Sequence, residues 1–65
     1  MTDIETPNYI AVKLQMGEGI YGIVTEMTVR KQVIVAWSDS SGYNYESQYP
    51  LELFENIILP KWRIG

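Results

Sequence analysis

Four carboxylates, Asp39, Glu46, Glu52 and Glu55, are the side chains that could pair for acid/base work or hold a hard cation. Their spacing matches neither a glycosidase pair nor a calcium loop of the D-x-D-x-D-G kind. The chain has no His and no Cys, so imidazole bases, thiolate nucleophiles, disulfides and thiolate metal sites are all excluded. No Gly-rich phosphate cradle is present, and no nucleophile stands beside an obvious base. The expectation is a protein that is not an enzyme and has no cofactor and no metal.

Lys13, Arg30 and Lys31, with Lys61 and Arg63, could instead form a basic strip for RNA or DNA, a Tyr or Trp62 stacking on a base. That requires cations from three distant segments to converge. The chain has five Lys plus Arg against eight Asp plus Glu, for a formal net charge of −3. A sequence-independent nucleic-acid surface needs the opposite balance, so solvated surface charge is the preferred reading.

Tyr21, Trp37, Tyr43, Tyr45 and Tyr49 could line a groove for an extended peptide or cage an alkylated ammonium. A chain of 65 residues buries only about 60% of its unfolded surface, so aromatic rings go to packing first. Tyr43 and Tyr45, beside the Gly42 loop, are the two singled out for partner contact. Trp37 should point inward. The C-terminal run with Ile57, Ile58, Leu59, Trp62 and Ile64 is more apolar than one small core needs. Trp62, Arg63 and Ile64 therefore read as a docking arm, or else as a tail folded back over an open end of its own barrel.

The elements that must position these groups follow from period-two alternation and turn residues. Ile10, Val12 and Leu14 alternate with polar or small residues over Tyr9 to Gln15, the first strand. Ile20 to Met27 is the second, with Gly22 where a side chain would obstruct a bend or a neighbouring backbone. Val33 to Trp37 is the third, with Val33, Val35 and Trp37 on one face and Ile34 and Ala36 on the other. Asn44 to about Gln48 is the fourth. Pro50 ends it and opens a single helical turn over Leu51 and Glu52. Leu53 to Ile58 reads as the fifth strand. A polar arm over residues 1–8, a barrel over 9–58 and a C-terminal arm over 59–65 complete the organisation. No apolar run approaches the roughly 20 residues of a membrane helix. The start lacks the basic and apolar regions of a signal peptide, so the expectation is a protein not secreted by that route.

These strands together predict an all-β fold, a small five-stranded SH3-like barrel with a short helical turn before the last strand. The stretches Gly22-Ile23-Val24, Val33-Ile34-Val35-Ala36-Trp37-Ser38-Asp39, Tyr45 and Leu51-Glu52-Leu53 resemble the small uncharacterised SH3-like barrel proteins of tailed bacteriophages, cyanophages included. They are similar, more loosely, to the photosystem I subunit with an SH3-like barrel. Where those phage proteins open with a Gly-Asp pair, Pro7-Asn8-Tyr9 stands here. The resemblance implies the fold and a phage setting. With the apolar C-terminal arm, the expectation is a non-catalytic interaction or assembly module, a virion or accessory protein in the virion or the host cytoplasm. It is expected to dock on a larger phage structural or host protein, with Trp62 as anchor and Tyr43 and Tyr45 on a second contact face. A nucleic-acid-binding barrel and an acidic inhibitor of a host protein are the alternatives, and the oligomeric state is open.

Overall fold

Apolar residues at every second position build strands here, and apolar residues three and four apart build a helix. In the computed structural model, which describes residues 8–64, β1 (Lys13–Gly17), β2 (Ile20–Met27), β3 (Gln32–Asp39) and β4 (Asn44–Pro50) form one antiparallel sheet in the order β1-β2-β3-β4. Of the N-terminal arm only Asn8 is among the described residues, and Gly65 of the C-terminal arm is not.

Short connections make this meander. Gly19 takes φ +78° between β1 and β2, and Lys31 takes φ +61° between β2 and β3. Between β3 and β4 the Asp39 carboxylate accepts hydrogen bonds from the Ser41 hydroxyl at 2.6 Å, the Ser41 N–H at 2.9 Å and the Tyr43 N–H at 3.1 Å. The Ser41 hydroxyl first, then the Tyr43 amide, holds that carboxyl below the usual Asp range. An acid occupied in this way fixes a turn.

One face of the sheet is the core face. Leu14, Val24, Val33, Val35 and Trp37 are buried on it, in the alternation expected for β3, and Phe54 and Ile58 cover them from the other side. Each such side chain contributes about 1.5–3 kcal/mol by leaving water.

The elements over Phe54 and Ile58 depart from the strand expected at Leu53 to Ile58. Residues 51–62 are helical: α1 (Leu51–Leu53), a π-helical stretch (Phe54–Ile58) and α2 (Leu59–Trp62). Leu51, Phe54, Ile58 and Trp62 all pack on the core, at helical spacings of three and four, while Asn56 and Ile57 between them face solvent. A strand would put Asn56 on the same face as Phe54 and Ile58. Pro60 is accommodated because the wide turn lies just ahead of it, where the Leu59 N–H bonds to the Phe54 carbonyl, five residues back. The wider turn relieves the crowding that a proline ring imposes on the carbonyl four residues earlier.

Two further expectations change. The first strand begins at Lys13, not Tyr9, because Ala11 takes φ +74° and the Val12 N–H closes a turn onto the Tyr9 carbonyl at 3.0 Å. The Ala11 N–H is drawn instead to the Val24 carbonyl at 2.8 Å. The sheet is four-stranded and not the sealed five-stranded cylinder, since the segment expected to close it is spent on the helix. After the helix the chain does return to β1: Arg63 lies opposite Leu14 in an antiparallel bridge, and the Ile64 N–H donates to the Lys13 carbonyl at 3.0 Å.

Candidate functional site

With the core on one face of the sheet, the alternate residues of β1, β2 and β3 must line the other. The register sets them in rows, Lys13–Ile23–Ala36–Glu46 across the middle and Gln15–Tyr21–Ser38–Asn44 beside it. Five of these eight residues are polar or charged, and the apolar three, Tyr21, Ile23 and Ala36, are neighbours on β2 and β3. Tyr21 is 50% exposed, Ile23 39% and Ile64 42%, and the methyl of Ala36 leaves the middle low. The result is a shallow depression of about 210 Å³ bounded by Lys13, Tyr21, Ile23, Ala36 and Ile64. A second, about 370 Å³, adjoins it along Ile23, Ala36, Asn44, Tyr45 and Glu46. Lys13 stands at one margin and Glu46 at the other, so an apolar floor is framed by opposite charges.

The site residues expected from sequence divide between the two faces. Ile64 reaches the outer face because the chain returns to β1 there, whereas Arg63, opposite Leu14, is exposed on the helical side beside Glu55, Leu59 and Pro60. Tyr45 stands opposite Trp37, half-buried, and its ring lies 5.6 Å from that of Tyr43, which is 64% exposed. Trp62 is on the core side, with its ring edge-on to Trp37 at 5.7 Å and 90° and the Lys61 Nζ 5.4 Å from its centroid. The buried indole N–H of Trp37 has no hydrogen-bond acceptor among the described residues, so the aromatic pair is held by packing. Of the basic residues, Lys13 sits on the outer face, whereas Arg30 and Lys31 lie in the β2–β3 turn beside Glu52 and Glu55. The structure thus does not bring these three together.

The carboxylates are equally dispersed. Asp39 belongs to its turn and Glu46 to the outer face, while Glu55 accepts a hydrogen bond of 2.6 Å from the Tyr9 hydroxyl. That bond to Glu55 raises the Tyr9 phenol above its ordinary value. Among the described residues no three His, Cys, Asp or Glu side chains converge to hold a metal ion, and no helix is long and apolar enough to cross a membrane.

Ile23 and Ala36 are the residues of this face that were not singled out. Their signal is in Ile23-Val24 and in Val33-Ile34-Val35-Ala36-Trp37, which are apolar at successive positions. A strand in a sheet with one wet face alternates instead. Comparison with known proteins finds no matching family model, curated protein or solved structure.

Proposed function

We propose that the chain is a non-catalytic protein-interaction module on an SH3-like scaffold, a small phage virion or accessory protein that docks on a larger protein through the outer face of its sheet. The observation that carries this reading is that Tyr21, Ile23 and Ile64 are exposed together around the low floor at Ala36. Grouped apolar exposure of this kind on a small domain marks a contact surface. The meander, the helical segment after β4 and the return of residues 63–64 to β1 support the SH3-like reading of the scaffold. The phage setting rests on the resemblance of the β2 and β3 sequences.

The C-terminal arm serves this function through Ile64, while Trp62 steadies the arm by packing on Trp37 and Arg63 stays on the helical side. Tyr45 has the core-side parity of Trp37 and borders this surface only at the β4 edge, beside Tyr43. Burying the exposed parts of Tyr21 and Ile23 on a partner contributes at most about 1.5–3 kcal/mol for each side chain. Ile23→Glu is the test. Its cross-strand neighbour is Lys13, so the new charge is compatible with the free fold. Affinity-tagged Ile23→Glu should retain the melting temperature within a few degrees yet recover at least about tenfold less of the larger partner. Val29→Lys, at a residue 100% exposed in the β2–β3 turn, should recover as much as the parent. Equal recovery by Ile23→Glu would remove the outer face from the account.

A further inference from the structure

We infer that two copies of this chain pair edge to edge through β4, antiparallel and with Ser47 on the two-fold axis, to give one continuous eight-stranded sheet. The two edges of the sheet differ. That of β1 is met by residues 63–64, whereas β4 pairs with β3 alone among the described residues. Native edges are blunted by bulges, Lys or inward-facing charge. The β1–β2 and β2–β3 ladders each carry a bulge, but the β3–β4 register runs without a break from Gln32↔Pro50 to Ser38↔Asn44. Among the described residues the edge is unbulged, seven residues long and contains no Lys, and its one proline, Pro50, stands at the last position.

The ladder also decides which backbone groups are free. It is bracketed by bonds from the Asp39 N–H to the Tyr43 carbonyl, 3.1 Å, and from the Leu51 N–H to the Lys31 carbonyl, 2.7 Å. Hydrogen-bonded pairs alternate in an antiparallel ladder, so Tyr45, Ser47 and Tyr49 bond to β3. Asn44, Glu46 and Gln48 then turn both N–H and C=O outward, and Pro50 its carbonyl.

The sequence Tyr45-Glu46-Ser47-Gln48-Tyr49 reads the same in both directions, with a carboxamide standing for a carboxylate. An antiparallel neighbour is read in reverse, so with Ser47 opposite Ser47 each Glu46 faces Gln48 of the second copy and each Tyr45 faces Tyr49 of the second copy. Glu46 and Gln48 are both outward-bonding residues, so these pairs exchange backbone hydrogen bonds and a Gln amide can donate to a Glu carboxylate. Tyr45 and Tyr49 fall at non-hydrogen-bonded positions, where side chains approach closest. Both are half-buried against the core, so their pairing extends the two cores toward each other. A shift of register by two residues would set Glu46 against Glu46 in one direction, and in the other would lose both tyrosine pairs. This pairing is independent of the docking reading above, and it would place two copies of the outer face side by side.

Sedimentation equilibrium of the full chain from about 10 μM to about 1 mM, the range for a small interface, should show the 7.5 kDa monomer passing to twice that mass. Gln48→Glu puts like charges opposite each other twice and should weaken association about tenfold. Adding Glu46→Lys to it creates two opposite-charge pairs and should restore association to the parent level or better, which separates a broken interface from a damaged fold. A monomer throughout the range, or a dimer indifferent to Gln48→Glu, would overturn the inference.

Discussion

Gly22→Ala should destabilise the domain by about 3 kcal/mol, the upper part of the range for overpacking a filled core. Gly22 faces Trp37 across the β2–β3 ladder, and a Cβ placed on it would lie 2.6 Å from Trp37 Cε3, 2.7 Å from Cζ3 and 2.9 Å from Cδ2. The indole has nowhere to go. Trp37 is 1% exposed and its ring is braced edge-on by Trp62, so relief requires moving the strand or the helix. A domain of this length holds only about 3–10 kcal/mol in all. The urea midpoint, read by Trp fluorescence, should therefore fall by about 3 M for a slope near 1 kcal/mol/M. In a Trp37→Leu background the same change should cost less than about 1 kcal/mol, because the obstructing ring is gone. A loss as large there would mean that Gly22 is required for its backbone alone.

Phe54→Ala should cost about 4 kcal/mol, enough to leave much of the population unfolded at room temperature. Phe54 is wholly buried, packs 5.2 Å from the Tyr9 ring and belongs to the same cluster as Leu14, Val24, Val35 and Trp37. It is the main side chain by which the helical segment closes the core, and no neighbour is free to fill the cavity left behind. The residue before it gives the contrast. Leu53 is 38% exposed, and Leu53→Ala should cost under about 1 kcal/mol. Circular dichroism melts of the two variants check this. Comparable losses at Leu53 and Phe54 would contradict the helical arrangement of residues 51–62.

Much of the sheet was legible because β2 and β3 are dense in β-branched residues and bounded by Gly, Asp and polar turns. Ile20 to Met27 and Val33 to Trp37 follow from that composition, parity groups Val33, Val35 and Trp37 on one face with the bulkier Trp marking it as inward, and Gly22 marks a close approach. The helix was harder to read. Leu51, Phe54, Ile58 and Trp62 carry the helical spacing, but the run from Phe54 to Leu59 is apolar enough to resemble a strand, and Pro60 argues against a helix until the π turn beside it is seen. At Tyr9 to Val12 the alternation is real but is overridden by a tertiary bond from Ala11 to Val24. The candidate face was half legible. Parity tells that Ile23 and Ala36 leave the core face, but not that the helix chooses the opposite side of the sheet. Trp62 shows the same limit, since its packing on Trp37 is a contact between residues far apart in sequence.

The outer face of the sheet, opposite the helix, is where this chain is held to meet its partner, and photocrosslinking from that face is the most direct check. With benzoylphenylalanine in place of Tyr21, irradiation in the cells that make the protein should yield one adduct with a larger protein, and Ile23→Glu in the same chain should abolish it. The same group at Ile57, 50% exposed on the helical side, should yield none. An adduct from position 57 and none from position 21 would contradict the account.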